Sequence, residues 1–208
     1  MQRRHLLLGS APALLLGRSA HANGWNAWGS ARGARRLSLR LASTGARFSG
    51  IYHNGSVPDA GAIRELSLLL ADSRTGASRP YDPRVFDIIW ELGIRERLDE
   101  YLVLSGYRTP ETNAAVCGAG NSQHLHACAI DVMVPPSKLP SFGQAAIQLG
   151  RGGVGLYGNR GFVHVDTGPV RQWGEVGDGT GTGMVAVRSV RPDPIARMAE
   201  AWRAVSGR

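Results

Sequence analysis

Across residues 36–41 apolar leucines alternate with polar side chains, the period-2 pattern of a half-buried strand. Residues 47–53 follow as a second strand, and Asn54-Gly55 supplies the turn of an opening β-hairpin. The period then lengthens. After Pro58-Asp59 the residues Ile63, Leu66, Leu69 and Leu70 share one helical face, which predicts a first helix. Asp82-Pro83, a capping residue followed by a first-turn proline, starts a second helix that buries Val85, Phe86, Ile89, Trp90 and Leu92 and ends at Gly93. Residues 101–104 are continuously apolar and read as a buried strand. They run into Ser105-Gly106-Tyr107-Arg108, which leaves Arg108 at the strand's exit, and Thr109-Pro110-Glu111 opens a short helix. A strand over 129–134, a helix over 140–149 and a hairpin of 154–156 with 162–165 complete the compact part. A glycine-dense loop over 174–183 and a closing helix over 192–205 follow, and no internal repeat is evident. Gly153-x-Gly155-x-x-Gly158 matches the dinucleotide-binding glycine pattern but opens no helix, so it carries no nucleotide reading.

The N-terminus has a different character. Arg3-Arg4 precedes the apolar run 6–16 and the small-residue site Ala20-His21-Ala22, which reads as an export signal of the twin-arginine type cut after Ala22. Eleven mostly apolar residues are too few to span a bilayer, so no stable membrane insertion is expected. Residues 23–35 read as a linker, 36–173 as one folded domain, and 174–208 as the loop and closing helix. With the signal go three arginines and no acid, taking the formal charge from +8 to +5. Lys138 is the single lysine, and no basic helix or aromatic-interleaved stripe marks a nucleic-acid surface, so no nucleic-acid partner is expected. An exported, mildly basic chain of this kind is drawn to anionic polymers such as cell wall. Cys117 and Cys128 bracket the densest histidine segment. They could close a short loop as a disulfide, remain as buried thiols, or lend Cys128 as a metal ligand.

Three of the four histidines beyond residue 22 fall in Ser122-Gln-His124-Leu-His126-Ala-Cys128-Ala-Ile-Asp131 and Phe162-Val-His164-Val-Asp166. Hydrolytic zinc sites use three protein ligands and leave one position open for water. His124 on a loop, Asp131 on the following strand and His164 on a second strand would supply that set. An extended 162–166 segment points Phe162, His164 and Asp166 to one face. Each histidine taken singly reads as well as a satisfied core residue, and His124 with Asp131 as a plain hydrogen-bonded pair. Their clustering in a histidine-poor chain is what favours metal. No His-Glu-x-x-His helix is present.

Three longer motifs resemble a known family, the MepK-type murein endopeptidases, grouped with the zinc D-Ala-D-Ala peptidases and the hedgehog-like metallopeptidase fold. They are Ser105-Gly-Tyr-Arg-Thr-Pro-Glu-Thr-Asn113, Ser122-x-His124 with Asp131, and Gly152-Gly-Val-Gly-x-Tyr157 through Phe162-Val-His164-Val-Asp-Thr-Gly-Pro169-x-Arg171-x-Trp173. The resemblance implies a single α+β domain with a small antiparallel sheet and helices packed on one side. It also implies one zinc on His124, Asp131 and His164, and hydrolysis of peptide crosslinks in peptidoglycan through a metal-activated water. Arg108 would steady a substrate carboxylate or the developing oxyanion, the alternative being a structural salt bridge to a nearby acid. Two positions depart from the family's pattern. Ala127 stands where glycine is usual, which is tolerable unless φ there is positive. Gly161 stands where the wider superfamily often has a glutamate base. That leaves Asp166 as base or as orienter of a ligand imidazole, and His126 as the other candidate base. A D,D- or L,D-carboxypeptidase and a non-catalytic wall-binding metalloprotein remain the alternative readings.

Overall fold

The computed structural model describes residues 33–175. The expected export signal and closing helix, all but the last three residues of the 23–35 linker, and the glycine-dense stretch beyond residue 175 lie outside them. The opening strands are β1 (Arg35–Leu41) and β2 (Arg47–His53), paired antiparallel. The turn that joins them is not Asn54-Gly55 but residues 42–46, where Gly45 has φ +74° and its N–H donates to the Leu41 carbonyl. Asn54 serves another purpose. Its side chain accepts from the N–H groups of Ser56 and Val57 and turns the chain into α1 (Ala60–Leu69). Asp59 caps that helix by accepting from the Ala62 N–H.

The second helix, α2 (Pro83–Glu96), starts as the sequence indicates, with Asp82 as cap and proline in the first turn. It does not stop at Gly93. It continues to Glu96 and ends on Arg97 in the left-handed region. Gly93 is instead a contact glycine, since a Cβ there would sit 3.1 Å from the Tyr101 hydroxyl, which donates to the Ile89 carbonyl. On the buried side Ile88 takes a place beside Val85, Phe86, Ile89 and Leu92, while Trp90 is half-buried under the Arg35 guanidinium.

Then come β3 (Tyr101–Ser105), α3 (Pro110–Ala115), a short 3-10 turn (Gln123–His126) and β4 (Ala129–Met133). They are followed by α4 (Leu139–Leu149), β5 (Gly153–Tyr157), β6 (Phe162–Asp166) and β7 (Arg171–Glu175). The strands form one seven-stranded sheet in the order β2-β1-β3-β4-β6-β5-β7. The sheet is larger than expected and mixed. β1 runs parallel to β3 and β5 parallel to β7, while the other four pairings are antiparallel. The last strand escapes the sequence pattern because Arg171-Gln172-Trp173 has no apolar alternation, and Gly174, assigned to the loop, lies inside it.

The period-2 alternation separates the two faces of the sheet. Leu37, Leu39, Tyr101, Val103, Ile130, Val132, Val154, Val163 and Val165 turn toward Leu66 of α1 and Leu70 just past its end, Phe86, Ile89 and Leu92 of α2, and Phe142 of α4, forming the main core. At about 1.5–3 kcal/mol for each large apolar side chain buried, this face supplies most of the driving force. On the opposite face Leu102, Leu104, Met133 and Phe162 form a smaller cluster. That face also carries Asp131 and His164. The helices packed on one side therefore leave the other side of the two central strands for chemistry.

Candidate metal centre

β4 and β6 pair in register, with Asp131 directly opposite His164. Cross-strand side chains on one face lie close enough to meet. The third member arrives from the 3-10 turn, which carries His124 in over the sheet. His164 Nδ1 lies 2.9 Å from Asp131 Oδ1, His124 Nε2 lies 3.1 Å from His164 Nδ1, and His124 Nε2 lies 3.2 Å from Asp131 Oδ1. All three residues are buried. Three corners of a tetrahedron built on bonds of 2.0–2.2 Å would be about 3.3–3.6 Å apart, so the triangle, with sides of 2.9–3.2 Å, is slightly tighter than a zinc ion would set and would open by a few tenths of an ångström to hold one.

The outward atoms of the three side chains decide what faces inward. His124 Nδ1 donates to the Gly106 carbonyl at 2.6 Å, and His164 Nε2 donates to Asp166 Oδ2 at 2.9 Å. Each neutral ring then presents a lone pair to the centre. Asp131 Oδ2 accepts from the Arg108 guanidinium at 2.6 Å, leaving Oδ1 turned inward. With both rings neutral, three lone pairs converge on the centre, an arrangement that a bound cation would satisfy.

The protonation preferences agree. Burial pushes His124 down to about 4, against the attraction of Asp131, so it is neutral at pH 7. Burial also works against a charge on His164, but hydrogen bonds to Asp131 and Asp166 outweigh it and raise its pKa. Asp131 is held well below the usual carboxylate range: the nearby His124 and Arg108 overcome the penalty of burial. A buried site that favours an added positive charge suits a metal ion bound by two imidazoles and a carboxylate.

Gly106 holds its place because nothing larger fits, a Cβ there falling 2.6 Å from the Leu70 carbonyl oxygen. Arg108 also donates from Nε to Ser105 Oγ at 2.8 Å. Its guanidinium is thus joined to Asp131, the salt-bridge alternative raised for it. Asp166 is fully buried and accepts from His164, from Arg171 at 3.1 and 2.7 Å, and from the N–H groups of Gly153 and Gly168 at 2.9 and 2.8 Å. Burial opposes its ionisation, yet His164, Arg171 and Gly153 hold its pKa low. His126 is exposed on the 3-10 turn and is not part of the triangle. Cys117 and Cys128 are free thiols, and Cys128 points its Sγ at the His126 carbonyl.

Several participants had no role in the sequence reading. Arg171 and Trp173 of β7 reach β6 across β5, because Gly153 and Gly155 offer no side chain on that face. A Cβ on Gly153 would lie 2.5 Å from Asp166 Oδ2, and one on Gly155 would lie 2.6 Å from the Trp173 ring. Over this gap the Trp173 and His164 rings come to 5.1 Å between centroids. The spacing Gly153-x-Gly155 opposite Arg171-x-Trp173 is the signal that could have found them. Ala127, which follows the turn, has φ +53°, so the condition set for tolerating alanine there is not met.

The family model described as peptidoglycan L,D-endopeptidase MepK matches residues 29–173. The chain is 36% identical over 148 residues to the probable peptidoglycan L,D-endopeptidase MepK of Haemophilus influenzae, covering 67% of this chain and 78% of that protein. It is 30% identical over 145 residues to the peptidoglycan L,D-endopeptidase MepK of Escherichia coli strain K12, covering 67% and 80%. No solved structure matches it.

Proposed function

The chain belongs to the peptidoglycan L,D-endopeptidase MepK family, and on that premise we propose that it is a zinc-dependent endopeptidase that hydrolyses peptide crosslinks in peptidoglycan. The observation that carries this reading is the convergence of His124 Nε2, Asp131 Oδ1 and His164 Nδ1 within 3.2 Å, each side chain fixed from behind by a separate partner. Zinc held there supplies a Lewis acid that polarises a carbonyl and acidifies water. The chain's own residues do the rest. The Gly106 carbonyl and Asp166 set the tautomers of the two histidines, and Arg108 keeps Asp131 ionised with one oxygen inward. Asp166, with every oxygen engaged by donors, acts as a positioning residue, while exposed His126, two residues from His124, is assigned the proton traffic with solvent. The reading places the protein outside the cytoplasm, with residues 1–22 as its export signal. No described helix is long and apolar enough to cross a membrane.

The direct test incubates the zinc-loaded protein with defined crosslinked muropeptides and weighs the products. Monomers are expected, and His124→Ala should abolish both zinc binding and cleavage. Full wall digestion by a metal-free His124→Ala protein defeats the proposal. Asp166→Asn should weaken zinc affinity by about 10–100-fold while leaving residual turnover in excess zinc. Retained affinity with no turnover would instead make Asp166 the base. Gly161 favours a second reading, a wall-binding metalloprotein without turnover. With φ +72°, it closes the turn before β6 where a carboxylate base would be expected. Binding of intact muropeptides with no cleavage would select it, and release of single terminal residues would select a carboxypeptidase.

A further inference from the structure

Arg108 gives Nη2 to Asp131 and Nε to Ser105, so most of its guanidinium is turned to the protein and a second donor is wanted for the charge that develops on a substrate carbonyl oxygen. Tyr157 is placed to supply it. It lies on the same face of β5 as Gly153 and Gly155, so its side chain shares the face of Asp131 and His164. Three contacts fix the ring: it stacks on its cross-strand partner Phe162, with centroids 4.4 Å apart and planes 13° from parallel, the Arg160 guanidinium lies over it at 5.9 Å from its centroid, and its hydroxyl accepts from Trp173 Nε1 at 2.9 Å. The Trp173 ring is itself seated in the Gly155 gap against His164. The hydroxyl therefore lies at the edge of the ring that packs on a candidate metal ligand. Its oxygen already receives a hydrogen bond, so its own proton must be donated elsewhere, and among the described residues no acceptor takes it.

We propose that Tyr157 is a further catalytic residue, donating a hydrogen bond to the scissile carbonyl oxygen as water adds to the carbonyl carbon, with Trp173 as the positioning residue that aims the hydroxyl. Tyr157 keeps its own proton, and the proton that the attacking water loses leaves through His126, the residue assigned that traffic. The π electrons of the C=O bond move onto oxygen as the new C–O bond forms, and the phenol hydrogen faces that charge. The inference rests on the peptidase reading of the same site.

The test uses the zinc-loaded full chain. Preorganised donors of this kind change kcat by about 10²–10³-fold when removed. Tyr157→Phe, which keeps the stacking ring, should lower kcat by about 100-fold with KM and zinc content unchanged. A phosphinate analogue of the cleaved peptide mimics the tetrahedral centre and should bind Tyr157→Phe about as much more weakly as kcat falls. A reduced-amide analogue, with CH2 in place of the carbonyl, should bind wild type and variant alike. Trp173→Phe removes the aiming N–H and should show the same pattern at smaller amplitude. Wild-type kcat in Tyr157→Phe, or equal loss for both analogues, overturns the proposal and leaves the peptidase reading standing. A wild-type protein that neither cleaves crosslinked muropeptides nor binds the phosphinate overturns both.

Discussion

Ala127 occupies a left-handed backbone conformation directly after the turn that carries His124. For an L-residue this conformation costs roughly 1–2 kcal/mol, which glycine would avoid. Two effects oppose the replacement: glycine loses about 0.5–1 kcal/mol more backbone entropy on folding, and the Ala127 methyl is fully buried in the main core, where one carbon contributes about 0.8 kcal/mol. The opposing effects nearly cancel. Ala127→Gly is expected to unfold in urea within about 1 kcal/mol of wild type. Ala127→Val, β-branched at positive φ and overpacked, is expected to lose more than about 2 kcal/mol. A clear gain from glycine would show that strain outweighs packing here. At this scale the sequence was most informative about chemistry: clustering and strand period picked out His124, Asp131 and His164 as the converging set. What it left open were choices between roles, such as Arg108 for substrate or for Asp131. Those depend on which acid lies nearby in space, and Asp131 is 23 residues away along the chain.

At the scale of elements, β5 is a spacer whose missing side chains matter more than those present. Gly155 pairs with His164 on one side and Trp173 on the other, and the empty Cβ position admits the indole. Gly155→Ala is expected to push Trp173 off His164 and loosen β7. The strand is at the sheet's edge, so the protein should still fold. Turnover should fall, with the Trp173 fluorescence contribution shifted toward that of a solvent-exposed indole, while zinc content stays near stoichiometric. Unchanged activity would mean that β7 has no part in the site. Elements with a strong hydrophobic period, namely β1, β3, β4, β6, α1, α2 and α4, were legible from spacing and caps alone. Misread elements were governed by tertiary contact. Gly93 resembles a helix stop but is a glycine packed against Tyr101. Asn54-Gly55 resembles a hairpin turn but leads into α1, and β7 has no apolar period because its side chains serve the site face.

For the molecule as a whole, acid stability reports how the site is held. Asp72 is buried between α1 and α2 and accepts from the N–H groups of Thr109, Arg74 and Thr75 and from Thr112 Oγ1, so one carboxylate ties that connection to the start of α3, beside Arg108. Burial raises its pKa, but the N–H donors more than offset this and lower it to about 2. The folded state therefore binds fewer protons than the unfolded chain between about pH 4 and pH 2. The contribution is complete above the unfolded value and is lost as pH falls through that window. It is about 2 kcal/mol in size. Asp131, Asp166 and Asp82 are also held low and act with the same sign. Unfolding free energy should decline steeply below pH 4. In Asp72→Asn the decline should be shallower, with stability at pH 7 lower by about 2 kcal/mol, because an amide cannot accept all four donors without turning its own NH2 toward some of them. Parallel curves for the two proteins would assign the acid sensitivity to Asp131 and Asp166, and hence to the metal centre. A shallower curve for Asp72→Asn would show that the scaffold behind Arg108 titrates independently of the metal ligands.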